Sequence, residues 1–324
     1  MEISKLGETG LIKKIIKKTR LYSKDIVKGI GDDAAVIRYD KKHFLLLTTD
    51  TLVEDDHFNL SWFKPERIGI KAVESNISDI AAMGGFPKHM LVSLTVPSKI
   101  NVNFFDKLFD GIHKAAKKHK ISIIGGNLAG GKKVSITISL VGLVEKKNLC
   151  LRSNAKVDDL ILVTGNIGNS RAGLELLRNK KKGKSIDYYL NPKSRLDLSR
   201  RLAKLGINAM EDVSDGLASE VLNICNESKK GAVISKEKIP VSKTAIKDAK
   251  RVGKDAHDYA LHGGEDYELV FTISKNKLKS LNKIKSRIKL TVVGKILPKK
   301  DGIYLLDKGK KRKLKQGYEH FKDN

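Results

Sequence analysis

Basic residues occupy 64 of the 324 positions, yet residues 29–37, 43–63, 72–87, 209–226 and 263–274 hold no lysine or arginine. Four of these five stretches concentrate carboxylates in turns: GDD at 31–33, TTDTLVEDDHF at 48–58, EDVSDG at 211–216 and GGEDYE at 263–268. The fifth carries Asp79 shortly before Met83-Gly84-Gly85. Acidic turns kept clear of cations in a strongly basic chain point to bound cations, and hard divalent ions with oxygen ligands are the usual kind. Phosphoryl transfer is the chemistry that needs such a set, because positioned phosphates require metal ions to bridge and neutralise their oxygens. Neither the G-x-x-x-x-G-K-[ST] loop nor the H-R-D and D-F-G pair is present. Phosphate binding would then fall to carboxylate-held metal and glycine turns, with Asp32, Asp33, Asp50, Asp79, Asp212 and Asp215 as donors. Singly, such an aspartate is commonly a turn former or helix cap, as Asp215 before Gly216 could be. The metal reading rests on their joint occurrence.

Hydrophobic spacing supplies the elements that carry these residues. A strand over 44–49 should deliver Asp50 at its end, and a helix over 67–83 should hold Asp79 near its C-terminus, stopped by Gly84-Gly85. A strand over 89–96 precedes an amphipathic helix over 103–119. A buried strand over 121–124 then runs into the turn GGNLAGG. Alternation over 134–144 is that of a half-buried strand. The composition change at EKKN (145–148) divides the chain into 1–146 and 147–324. Beyond it, strands are expected at 160–164, 268–274, 290–296 and 302–306, with helices near 171–178, 194–205 and 217–228. Strands and helices are mixed without strict alternation, so the fold class is α+β with two domains.

Length allows one large domain or two ordinary ones. No apolar run approaches a membrane span, and the charged N-terminus does not read as a signal peptide. Cys150 and Cys225 lack metal-type spacing and read as buried thiols, which fits the cytoplasm. The formal charge of +27 raises nucleic-acid binding as a rival. The lysines, however, are spread through helix faces and loops without aromatic interleaving, as solvated surface residues are. No nucleic-acid or membrane partner is expected.

GIGDDAAV, TTDTLVEDDHF, SNISDIAAMGG, RSNAKVDDLILVTGNIG, EDVSDGL, GGEDYEL and GYEHF, in that order from residue 29 to 321, resemble the thiamine-monophosphate kinase family. That family belongs with aminoimidazole-ribonucleotide synthetase, selenophosphate synthetase and a hydrogenase-maturation dehydratase. The resemblance implies two α/β domains per subunit, a homodimer whose N-terminal domains pair through a β-barrel, and ATP in a cleft between subunits. It implies metal binding at Asp32, Thr48, Thr49, Asp50, Asp79, Asp212 and Asp215, with Mg²⁺ as the cofactor. Asp32, Asp212 and Asp215 carry the catalytic role. Arg152 and Ser214 would contact nucleotide phosphates, with Gly125 and Gly126 giving close backbone approach. His57, Glu265 and Tyr318 would face the thiamine end. The family usually has GGDT where this chain has Gly125-Gly126-Asn127-Leu128, so Asn127 offers a neutral oxygen in place of a charged one.

The activity so implied is Mg²⁺-assisted, direct in-line transfer from ATP to thiamine monophosphate, giving thiamine diphosphate. The alternatives are a related ATP-dependent synthetase, or a basic nucleic-acid-binding protein without catalysis. Residues 1–30 hold no cysteine for selenophosphate chemistry, and the tail HFKDN lacks the cysteine the dehydratase would use.

Overall fold

The computed structural model describes residues 2–321. The α+β expectation holds, with the strands forming two mixed sheets, one in each half of the chain. The first sheet runs, in spatial order, Ile26–Lys28, Ala35–Arg38, His43–Val53, Ser135–Glu145, Phe86–Val96 and Ser122–Gly130. Its last pair is parallel and is joined by the helix Val102–His119. The second runs Lys310–Lys313, Ile303–Asp307, Gly231–Ser235, Leu290–Leu297, Leu160–Thr164, Leu269–Ile273 and Met210–Asp212.

Alternation in Ser135–Glu145 is strict: Ile136, Ile138 and Leu140 enter the core while Thr137 and Ser139 face outward. The outward hydroxyls pair with those of the neighbouring strand, Thr51 with Thr137 at 2.8 Å and Thr49 with Ser139 at 3.1 Å. Two helices, Pro65–Ala82 and Val102–His119, cover the apolar face.

The helix Pro65–Ala82 starts with proline at its first turn, where the missing N–H costs nothing. Buried on nearly every side, it packs on the first sheet and reaches the second half of the chain. Its polar side chains are paired across that junction. Glu74 accepts from His119 Nε2 at 2.8 Å and from the Ser194 hydroxyl at 2.6 Å, and Ser78 donates to Asp212 at 2.6 Å.

Three expectations change. The strand placed at 44–49 continues to Val53, paired along its whole length with Ser135–Glu145, so Asp50 sits inside a strand. The strand placed at 121–124 spans Ser122–Gly130, and GGNLAGG is largely strand at the open edge of the sheet, not a turn. It is exposed along most of its length. The strands Met210–Asp212 and Gly231–Ser235 and the helices Lys243–Arg251 and Ala256–His262 were not expected. Both cysteines are free and buried. Among the described residues, no helix is long and apolar enough to cross a membrane.

Candidate active site

The period of a strand places Thr48 and Asp50 on one face of His43–Val53 and Thr49 on the other. Thr48 Oγ1 donates to Asp79 Oδ2 at 2.5 Å, drawing the strand to the helix Pro65–Ala82. The edge strand Met210–Asp212 brings Asp212 from the second half, where the Ser78 hydroxyl donates to it. Asp33 completes the set from the 31–34 turn. Carboxylate oxygens of Asp33, Asp79 and Asp212 lie within 4.8 Å of one another. Asp33 Oδ2 is buried without a hydrogen-bond partner among the described residues.

Arg152 is the cation paired directly with this cluster among the described residues. Its Nη2 meets Asp33 Oδ1 at 2.6 Å and Glu211 Oε1 at 2.9 Å, and its backbone N–H donates to Asp32 Oδ2 at 3.2 Å. One guanidinium does not offset so many buried acids. Burial first, and Asp33 second, raise Asp32 to about 7 and Asp212 to about 8. Burial raises Asp79 well above the usual carboxylate range, Asp50 and Asp212 adding to it. Asp50 rises to about 6 and Asp215 to about 7, mainly by burial, with Glu8 contributing to both. A cluster that binds protons this readily is short of positive charge.

Asp79 and Asp212 also line a cleft of about 290 Å³. The same cleft is lined by His57, Glu265, Tyr267 and Tyr318 together with Arg171 and Arg178. Gly264 is required there, since a Cβ would lie 2.3 Å from the Ser214 carbonyl oxygen. The tail comes in through Gly317 N–H to Ser219 Oγ at 2.9 Å and Tyr318 N–H to the Asp215 carbonyl at 3.0 Å.

Residues 31–144 match the family described as AIR synthase related protein, N-terminal domain, and residues 156–306 match its C-terminal domain. Thiamine-monophosphate kinase of Buchnera aphidicola subsp. Acyrthosiphon pisum is 39% identical, over 98% of this chain and 99% of that protein. The Aquifex aeolicus thiamine-monophosphate kinase is 37% identical, over 99% of this chain and 100% of that protein. The chain belongs to the thiamine-monophosphate kinase family. The solved structure of AaThiL complexed with AMPPCP and TMP superposes with a TM-score of 0.86 at 35% identity, covering 99% of both chains. The two-domain architecture of this kinase family is thus the architecture of this chain.

For a member of the thiamine-monophosphate kinase family, the expected residues fall into three groups. Asp50, Asp79, Asp212, Asp215, Ser214, His57, Glu265 and Tyr318 all line the cleft. Asp32 and Arg152 lie beside it, Asp32 with its carboxylate turned to the Arg152 backbone. Arg152 is engaged by Asp33 and Glu211, so the phosphate-contact role expected of it would compete with those pairs. The Thr49 hydroxyl is on the opposite sheet face from Thr48, bonded to Ser139, because adjacent strand residues point opposite ways. Gly125, Gly126 and Asn127 are not among the residues lining the cleft; they lie on the exposed edge strand. Close approach at Gly126 is to the neighbouring strand, where a Cβ would lie 1.8 Å from the Val92 carbonyl oxygen. Asp215 does not cap the following helix, whose N-cap is Gly216 without a side-chain cap. Glu8, Lys71, Tyr267, Arg171 and Arg178 were not singled out. Only Tyr267 had a signal, as a neighbour of Glu265 in GGEDYE.

Proposed function

We propose that this chain phosphorylates thiamine monophosphate with ATP, giving thiamine diphosphate and ADP. The observation that carries the reading is the trio Asp33, Asp79 and Asp212, with one orphaned oxygen, at a cleft that Asp79 and Asp212 line together with His57, Glu265 and Tyr318. An all-oxygen, buried and strongly anionic donor set fits Mg²⁺. Asp33, Asp79 and Asp212 would hold it, with Asp32, Thr48, Asp50 and Asp215 as the further oxygen donors if several ions bind. When bound, Mg²⁺ supplies charge neutralisation between two polyanions and for the leaving ADP.

The chain's own residues then position and insulate. Thr48 and Ser78 orient the carboxylates of Asp79 and Asp212 by hydrogen bonds. The acceptor is the substrate's terminal phosphate, whose second pKa near about 6 leaves it largely dianionic at neutral pH, so no side chain has to remove a proton. An acceptor oxygen attacks the γ-phosphorus in line as the bond to ADP breaks. Residues 1–146 form the half that carries Asp33 and Asp79, and residues 147–324 the half that carries Asp212 and Asp215. Substrate would bind across both.

ATP consumption with thiamine monophosphate, and not with free thiamine, in the presence of Mg²⁺ is the expected result. Consumption with aminoimidazole precursors instead would move the chain to a related synthetase. A salt-dependent gel shift without ATP turnover would favour the nucleic-acid reading.

The working form is read as a homodimer. Support comes from Ser122–Gly130, an uncovered sheet edge on which Ile124 and Leu128 are 60% and 63% exposed. Such an edge invites pairing with another strand. A second copy there would also give Gly125, Gly126 and Asn127 a route to a nucleotide between subunits. Leu128→Glu changes only a surface side chain. Sedimentation should show twice the 35.9 kDa chain mass for the wild type and a single chain for the variant. A monomeric, fully active wild type would remove the dimer from this account.

A further inference from the structure

Lys71 is entirely buried in the helix Pro65–Ala82, and neither the metal cluster nor phosphate binding uses it. A buried ammonium persists only where its charge and donors are satisfied. Its Nζ lies 2.7 Å from Glu265 Oε1 and donates to the His57 carbonyl at 2.8 Å. It also sits over the rings of Tyr189 and Phe63, at 4.5 and 5.4 Å from their centroids. The Tyr189 hydroxyl donates to the same His57 carbonyl at 3.1 Å. Four segments distant in sequence therefore meet at one cation: the helix, the 53–58 loop, the GGEDYE loop and the short helix Ile186–Leu190.

Glu265 adds a second argument. Its backbone is left-handed, at φ 59°, and Tyr267 two residues on is at φ 49°. Non-glycine residues are uncommon in this conformation, and two of them two positions apart, both lining the cleft, mark a loop held there by its contacts. Hydrogen bonds from the Glu265 and Tyr267 N–H groups to Ser214 and Val213 fix the main chain, while Lys71 fixes the carboxylate. A quarter of the Glu265 side chain remains exposed in the cleft.

We propose that Lys71 is a positioning residue for the acceptor end of the cleft, its ammonium tying the Glu265 carboxylate to the His57 main chain so that the carboxylate and the His57 loop are held in one arrangement. This rests on the functional reading given above. Because Lys71 offsets the charge of Glu265, that carboxylate acts as a hydrogen-bond acceptor within a neutral pair. It suits an N–H donor such as the exocyclic amine of an aminopyrimidine, rather than serving as a bare anion for the thiazolium charge. Burial lowers the Lys71 pKa and Glu265 opposes that, as expected of a paired interior cation.

Lys71→Met keeps the volume and removes the charge. Its KM for thiamine monophosphate should rise about 10- to 100-fold, the worth of a hydrogen bond to a charged group. The KM for ATP should change by no more than about 3-fold, since Lys71 touches none of the metal-site carboxylates. Adding Glu265→Gln to Lys71→Met should recover part of the loss, because the second change removes the charge left unpaired on the partly buried carboxylate. If Lys71→Met does not fold, Lys71→Arg keeps the charge, and the same split between the two KM values is expected at smaller size. An unchanged KM for thiamine monophosphate, or an equal rise in both KM values with no recovery in the double variant, would show a purely structural clasp and overturn the proposal. Wild-type enzyme that does not consume ATP with thiamine monophosphate would overturn the functional reading along with it. Active wild type with an indifferent Lys71 variant overturns this inference alone.

Discussion

Asp212→Asn is expected to lower kcat by about 10³-fold or more while the protein stays folded. The substitution is isosteric, and its amide oxygen can still accept the Ser78 hydroxyl that donates to Asp212 Oδ2 at 2.6 Å. What it removes is one of three carboxylates that approach within 4.8 Å. The effect on stability should have the opposite sign. Asp212 is raised to about 8 chiefly by burial, with Asp33 and Asp50 repelling its charge, so neutralising it relieves strain in the metal-free protein. Thermal melts in EDTA at pH 8 should place the variant at or above the wild type. Steady-state ATP turnover at saturating Mg²⁺ measures the catalytic part. A variant keeping more than about a tenth of wild-type kcat would remove Asp212 from the reaction.

The opposition between function and stability explains why the site was partly legible in the primary structure. A lysine or arginine among these acids would relieve their repulsion by occupying the place a metal ion would take, and the cation-free stretches around Asp33, Asp50, Asp79 and Asp212 leave that place open. Local pattern placed Asp79 on its helix and the strand Leu160–Thr164 to the residue, because burial on one face leaves a clear period. It failed at Asp50, where the strand was expected to end at Thr49, although Thr49 and Thr51 both belong to an outward hydroxyl ladder that continues past it. It failed also at Met210–Asp212, a strand too short to show any period.

Lys71 and Glu8 were invisible for a different reason. Their partners are 194 and about 310 positions away, at Glu265 and in the GYEHF tail, and their own neighbourhoods look like ordinary amphipathic helix. Gly125-Gly126-Asn127 shows the converse case. The motif was recognisable, but its destination was not, because the exposed edge it occupies gains a binding role only if a second chain covers it. The helix Pro65–Ala82 unites these cases. It holds Lys71, Glu74, Ser78 and Asp79, each paired with a different distant segment, so one element relates the carboxylate cluster, the Glu265 loop and the two halves of the chain.

The same cluster makes the metal-free protein lose stability as pH rises from about 5 to 8. Asp32, Asp50, Asp212 and Asp215 stand at about 7, 6, 8 and 7 in the folded chain against 3.8 for an ordinary aspartate. Between those values the folded state binds more protons than the unfolded state, so the slope of unfolding free energy with pH is negative. It amounts to about 1.4 kcal/mol per unit for each carboxyl that is protonated only when folded. Asp79, Glu211 and Glu220, also raised well above the ordinary carboxylate range by burial, act in the same direction. His57 and His262, lowered by burial, oppose this only up to about pH 6.5, where imidazole loses its charge in any case. The acids outnumber them, so the net sign stays negative. Glu74 and Glu145, held near 2, are ionised in both states across this range and do not alter the slope. Urea midpoints in EDTA should therefore fall between pH 5.5 and 8. Mg²⁺ should restore the midpoint at pH 8 and do little at pH 5.5, where protons already occupy the carboxylates. A midpoint that rises with pH in EDTA, or a Mg²⁺ effect equal at both pH values, would mean that these aspartates do not share one buried, cation-binding site.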